Sequence, residues 1–201
     1  AFNFKPGQYA TLAVQTEVKR IERAYSIVSS PLENEIEFFF ELVPQGELTP
    51  KLYKLQEGDD VLMRKAAKGL FTLDQKSGRT NHFLVSTVTG VAPFVSYVRT
   101  MYRQWKEGSL QGEHKLFILN GASRSWELGY YEELKKFSEE VPWLKYAATV
   151  SRPWDDSNWS GEMGRVDDVM RKYSDMWGLD GTNSVAYLCG PSKLSNWPDV
   201  D

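Results

Sequence analysis

A small antiparallel β domain followed by an α/β domain with a parallel sheet is the fold the sequence predicts, on two observations. Before about residue 80, apolar residues alternate singly with polar ones between turn signals, as in half-buried strands. After it, they gather into short unbroken runs separated by helical stretches, the pattern of strands covered on both faces. The 201 residues suffice for two such units.

In the first part, Gln8 to Val14 puts Ala10, Leu12 and Val14 in phase behind a Pro6-Gly7 turn. Glu35 to Leu42 places Ile36, Phe38, Phe40 and Leu42 on one face and Glu35, Glu37 and Glu41 on the other, which predicts a strand. Val61-Leu62-Met63 follows the turn-like Glu57-Gly58-Asp59-Asp60. Short strands with such turns suit a small barrel or sandwich.

The second part opens after the polar stretch Asp74 to Arg79. Phe83 to Val85, Leu116 to Leu119, Tyr146 to Val150 and Val185 to Leu188 read as strands covered on both faces. Between them Pro93 suits a helix start, and Phe94, Tyr97, Val98, Met101 and Trp105 recur at helical spacing. Glu127 to Glu140 and Val166 to Tyr173 predict two further helices. Strand–helix–strand repetition implies right-handed crossovers.

Composition removes several function classes. With 24 Lys and Arg against 27 Asp and Glu the net charge is −3, which argues against a nucleic-acid partner. No apolar run approaches the roughly 20 residues of a membrane span. A single cysteine, Cys189, excludes an internal disulfide and a Cys-ligated cluster in this chain, and two histidines are too few for a His-rich metal centre. These features predict a metal-free cytoplasmic protein. The termini, Ala1-Phe2-Asn3-Phe4 and Asn196 to Asp201, read as cuts from something longer.

Arg23-Ala24-Tyr25-Ser26-Ile27-Val28-Ser29 ends a strand with a cation, an aromatic ring and a hydroxyl. Such a set can clamp phosphate, stack on a flat ring and hydrogen-bond to its heteroatoms. Strict alternation puts Arg23 and Tyr25 on one face and Ser26 on the other unless the strand bends. The stretch resembles the Arg-x-Tyr-Ser-x-x-Ser flavin signature of the ferredoxin–NADP reductase family. Further landmarks follow in that family's order. Phe4-Lys5-Pro6-Gly7-Gln8-Tyr9 is similar to its leading strand, Gly46-Glu47-Leu48-Thr49 to its second flavin phosphate motif, and Gly69 to Leu73 to the end of its barrel. Thr87-Val88-Thr89-Gly90-Val91-Ala92-Pro93 resembles its nicotinamide-nucleotide loop, and Cys189-Gly190-Pro191 its late Cys-Gly motif.

The resemblance, which spans Phe4 to Pro191, implies an antiparallel β-barrel for FAD over residues 1–76, with N-terminal strands missing. It also implies a Rossmann-like parallel-sheet domain for NADP(H) over 80–201 with an incomplete C-terminus. In this picture Tyr25 stacks on the flavin, Ser26 sits near its reactive nitrogen, and Arg23, Gly46, Leu48 and Thr49 hold its phosphates. Thr49 would cap a short helix over Pro50 to Leu55, whose N–H groups face the pyrophosphate. Cys189 with Gly190 and Pro191 shapes the hydride-transfer pocket, the Cys by shape and polarity rather than as a nucleophile. Thr89 and Gly90 hold the nicotinamide nucleotide. Val88 stands where the family has glycine, and a β-branched residue resists the positive φ and close approach that glycine allows.

NADP sites commonly use Arg where NAD sites carry an acid at a strand tip. The tip Asn120-Gly121-Ala122-Ser123-Arg124 has no acid before Glu127, and Ser151-Arg152 and Arg165 resemble the family's 2′-phosphate residues. Ser123, Arg124, Ser151, Arg152 and Arg165 are therefore the candidates, and NADPH the expected donor. The resemblance implies a monomer that exchanges single electrons with ferredoxin or flavodoxin, with the basic stretch Arg64 to Lys68 as a candidate dock. Two alternatives stay open: an NADH-dependent reductase component of an oxygenase or other electron-transfer system, and a non-catalytic flavin subunit whose Val88 loop has lost its nucleotide.

Overall fold

The computed structural model describes residues 2–190. Alternation in the first part becomes strands β1 (Tyr9–Gln15) and β2 (Arg20–Ser26), antiparallel with Ala10 opposite Tyr25 and Leu12 opposite Arg23. The short β3 (Leu62–Met63) joins the other edge of β1, giving the order β2-β1-β3, and isolated bridges Tyr9–Lys68 and Ile27–Phe38 extend the curl. Ala10, Leu12 and Ile21 are buried, and Leu12 and Ile21 cluster with Leu48 and Leu52 of α1 (Thr49–Leu52) and with Phe38, Phe40 and Met63.

Glu35 to Leu42 forms no strand beyond that one bridge. Ile36, Phe38 and Phe40 do face one apolar cavity, as their alternation requires, but Leu42 is exposed. The hydrogen bonds and charge of Glu37 go elsewhere than a ladder. Its N–H donates to Ser29 Oγ at 2.5 Å, its carbonyl accepts from Val28 at 2.9 Å, and its carboxylate binds side chains of the second half.

The second half is a five-stranded parallel sheet in the order β7-β6-β5-β4-β8. Its strands are β4 (Asn81–Thr87), β5 (Lys115–Ala122), β6 (Leu144–Val150), β7 (Glu162–Met163) and β8 (Ser184–Cys189). Helices α2 (Ala92–Lys106) and α3 (Tyr131–Glu140) cover one face, where Phe94, Val98 and Leu134 pack on Leu84, Leu116 and Ile118. Helix α4 (Val166–Met176) covers the other, with Val166, Val169 and Met170 on Phe83, Val85 and Leu119. Unbroken apolar runs in β4 and β5 follow from this two-sided cover. β8 departs from the prediction: it is an edge among the described strands, with Ala186 exposed and only Tyr187 buried.

Helix α3 starts at Tyr131 rather than Glu127. Glu127 closes a 3-10 turn over Ser125–Glu127 and turns its carboxylate back onto the amides of Ser123 and Arg124. α4 runs three residues beyond Tyr173, to Met176.

α2 is the seam between the halves. Ser96 Oγ donates to the Ser29 carbonyl at 2.6 Å, the Tyr97 hydroxyl donates to the Phe71 carbonyl, and Thr100 Oγ1 donates to Ser30 Oγ at 2.9 Å. Arg99 pairs with Glu37 at 2.5 Å and with Glu133 at 2.7 Å. One helix thus fixes both the sheet and the sheet's position against the antiparallel half.

Candidate functional site

Parallel sheets bind ligands at the carboxyl ends of their strands, where the chain turns into the next helix. In this chain that end of β4 faces the end of β2. The two meet across a cavity of about 430 Å³ lined by Tyr25 and Ser26 from β2, by Phe39, by Thr87 at the end of β4 and Thr89 in the turn after it, and by Cys189 of β8. A second cavity of about 420 Å³ shares Tyr25, Phe39 and Thr89 and continues to Arg23, Gly46 and Thr49. Together they make one cleft bounded by both halves. Tyr25 and Ser26 both reach it because the strand ends at Ser26, so alternation no longer separates them. Another cavity, of about 340 Å³ beside Tyr97 and His114, holds none of these candidates.

The Tyr25 ring is half-buried and lies 5.7 Å from that of Phe40; burial pushes its hydroxyl pKa up, against the pull of Arg23. Arg23 sits exposed at the cleft rim, 3.6 Å from the Glu47 carboxylate. Gly46 lies where a Cβ would stand 3.0 Å from the Val43 carbonyl. Thr49 does not cap its helix: Oγ1 accepts from the Val43 N–H at 3.0 Å and donates to the Val43 carbonyl, closing the loop 43–49. Leu48 is the N-cap, and α1 stops at Leu52 instead of Leu55. Burial raises the Cys189 pKa, so the thiol stays neutral and lines the cleft as a small polarisable wall.

The turn after β4 holds the departure from expectation. Val88 adopts φ +45°, the left-handed region that a β-branched residue seldom enters. Its side chain packs against Ala122, Leu128, Ala148 and Val150 over the carboxyl ends of β5 and β6. Gly90 is needed for another reason than a phosphate: a Cβ there would stand 2.1 Å from the Cys189 carbonyl oxygen. It lets the turn press against β8. Thr87 Oγ1 is buried without a hydrogen-bond partner among the described residues, and Thr87 lines the cleft.

Of the candidate cations, Arg124 is held by two acids, Glu127 at 3.2 Å and Asp155 at 2.8 Å. The sequence has no acid at this tip before Glu127, and the 3-10 turn brings Glu127 back to it. Arg165 precedes α4 and pairs with Asp167 at 3.1 Å. Arg152 is exposed and has no carboxylate partner among the described residues. The Ser151 and Arg152 amides donate to Ala122 and Ser123, so all four lie at one end of the sheet. Gly190 lines the cleft beside Cys189, and Pro191 lies outside the described residues.

Phe39 escaped the sequence reading. The signal was there: in the alternation of residues 35–42 it is the apolar exception on the face carrying Glu35, Glu37 and Glu41. These residues fit a flavin and a nicotinamide nucleotide. The cleft offers a half-buried aromatic face, a hydroxyl beside it, the Arg23 cation at its rim and a buried threonine oxygen without a partner among the described residues.

Residues 1–72 match the oxidoreductase FAD-binding domain family and residues 84–197 the oxidoreductase NAD-binding domain family. The chain is 31% identical to a ferredoxin–NADP reductase of Pseudomonas aeruginosa over 95% of its own length and 75% of that protein. It is 34% identical to a flavodoxin/ferredoxin–NADP reductase of Escherichia coli, covering 74% of this chain and 58% of the relative. Its fold superposes on the structure of a Neisseria gonorrhoeae ferredoxin NADP+ reductase with bound FAD and NADP, at a TM-score of 0.79 and 24% identity, over 96% of this chain and 76% of that one. A three-stranded antiparallel sheet and a parallel sheet meeting at this cleft, with such relatives over nearly the whole chain, place the protein: it belongs to the ferredoxin–NADP reductase family of FAD- and NAD(P)-binding oxidoreductases.

Proposed function

We propose that this protein is a flavin-dependent oxidoreductase that passes electrons between NADPH and a one-electron carrier, ferredoxin or flavodoxin. The single observation that carries this is the shared cleft, in which Tyr25 and Ser26 of the first half face Thr89 and Cys189 of the second. Bound there, FAD supplies the exchange between hydride transfer and single-electron transfer.

The chain's own residues bind and orient. Tyr25 offers a ring face to the isoalloxazine and Ser26 a hydroxyl to its heteroatoms. Arg23, with Gly46, Leu48 and Thr49 behind it, holds the flavin phosphates at the rim. Thr89 and Gly90 would border the nicotinamide, with Cys189 and Gly190 beside them in the same wall of the cleft. Arg152 is the cation available for the 2′-phosphate, assisted by Ser151, Ser123, Arg124 and Arg165. Residues 1–76 thus serve FAD and 80–201 serve NADP(H). Carrier docking falls to Lys65 and Lys68, both exposed, since Arg64 is engaged by Glu22 at 2.5 Å. In this reading the protein is a cytoplasmic monomer; none of the helices among the described residues is long and apolar enough to cross a membrane.

A second reading rests on Glu127, whose carboxylate occupies the β5 tip where an acid would hold the ribose hydroxyls of NADH. Anaerobic mixing of the FAD-loaded protein with each nucleotide, following flavin absorbance, separates the two. Faster bleaching by NADPH supports the ferredoxin/flavodoxin reductase reading, and faster bleaching by NADH moves the protein to the NADH-dependent class. Bleaching by neither favours the alternative of a flavin subunit whose nucleotide site does not work.

A further inference from the structure

Phe39 lines both parts of the cleft, yet its position is set from the other half of the molecule. Its ring meets Tyr130 edge-on at 5.4 Å and 86°, a favourable aromatic geometry. It also lies against Gly129, where a Cβ would stand 2.5 Å from the Phe39 ring, so only glycine lets the two halves close at this point. Tyr130 itself stands at φ +62°, a left-handed conformation that a non-glycine residue adopts only when its surroundings hold it.

Those surroundings are identifiable. The Tyr130 hydroxyl donates to Glu37 Oε1 at 2.6 Å, and Arg99 donates to Glu37 Oε2 at 2.5 Å while gripping Glu133 through Nε and Nη2. The Arg99 guanidinium lies 5.4 Å from the centroid of the Tyr130 ring. Burial raises the Glu37 pKa, but the bonds from Arg99 and Tyr130 outweigh it and keep the carboxylate ionised.

We propose that Tyr130 is a positioning residue for the flavin: anchored by Glu37 and Arg99, it holds Phe39 as a wall of the cleft, so a residue of the nucleotide-binding half sets the shape of the flavin seat. This rests on the flavin reading above. A contact of this kind couples the two halves through one side chain, without Tyr130 touching the cleft.

A double-mutant cycle on the whole chain tests it. FAD affinity by flavin fluorescence quenching, and the visible circular dichroism of bound FAD, would be measured for the parent, Tyr130→Gly, Phe39→Ala and the double variant. Tyr130→Gly accepts the left-handed backbone without strain and removes the ring together with the hydroxyl that anchors it to Glu37. It should weaken FAD binding at least about fivefold and change the visible dichroism, and should add less than about twofold once Phe39 is already Ala. A purely structural role would lower thermal stability, leave the dichroism of bound FAD unchanged and act additively with Phe39→Ala. Should Tyr130→Gly fail to fold, Gly129→Ala, whose methyl would intrude on Phe39, runs the same cycle with the same expectation. Additive losses, or single variants within twofold of the parent, overturn this proposal alone. A parent without FAD affinity overturns the flavin reading and this proposal with it.

Discussion

Val88 should be better tolerated as glycine than as alanine, the reverse of the usual order. Left-handed backbone costs a non-glycine residue about 1–2 kcal/mol, and Val88 sits at φ +45°. Its side chain is half-buried in the cluster over β5 and β6. Removing its two methyl groups as Val88→Ala, at roughly half of 0.8 kcal/mol per buried carbon, loses about 1 kcal/mol and leaves the backbone cost in place. Val88→Gly loses slightly more packing and about 0.5–1 kcal/mol of chain entropy, but recovers the left-handed cost. The glycine variant should come out near the parent in stability, and about 0.5–1 kcal/mol above the alanine variant. Urea titration of all three proteins reads this directly, as midpoints at constant slope. An alanine variant as stable as the glycine variant, or more so, would show that residue 88 is not held at positive φ. The same proteins address the nucleotide: a glycine variant that binds NADP+ tenfold tighter would mark the valine side chain as the obstacle.

Other residues allow equally direct tests. Arg152→Ala should lower the NADPH-over-NADH preference in kcat/KM at least about tenfold, since a charge-assisted contact contributes about 1.5–3 kcal/mol; an unchanged ratio would remove Arg152 from the 2′-phosphate site. Gly90→Ala places a methyl 2.1 Å from the Cys189 carbonyl oxygen. It should cost about 1–3 kcal/mol of stability, and a parent-like thermal midpoint would contradict the close approach of turn and edge strand. His82 is buried between Tyr187 at 3.2 Å and His114 at 2.8 Å, with its pKa pushed down to about 4 by burial first and by His114 second. The unfolded chain protonates this ring near 6.5 while the folded chain keeps it neutral, so stability should rise with pH between about 4 and 6.5. The His82 share of that rise is about 3 kcal/mol, and a His82→Gln variant with the same pH dependence of its urea midpoint would refute it.

The fold was largely legible because its signals are local. Apolar runs around Leu84, Ile118 and Val150 report burial on two faces, and Pro93 with Phe94, Tyr97 and Val98 reports a helix packed on one. The flavin candidates Arg23, Tyr25 and Ser26 could be named together for the same reason, since they lie within one strand end. Where the reading missed, a distant partner had intervened. Glu35 to Leu42 has the period of a strand, but Arg99 and Tyr130 draw Glu37 out of any ladder. Glu127 has the look of a helix start, but the amides of Ser123 and Arg124 take its carboxylate and delay the helix by four residues.

By itself, then, the sequence determined the two kinds of sheet, the helices between the parallel strands and the residue types that suit a flavin and a nucleotide. Each of these depends on periodicity and on neighbours a few residues apart. Only the tertiary structure decided that Val88 stands at positive φ, that Gly90 serves a contact with Cys189, that two acids hold Arg124, and that Phe39 is positioned by Tyr130. Those outcomes depend on contacts between segments tens of residues apart, where packing and charge pairing outweigh local preference.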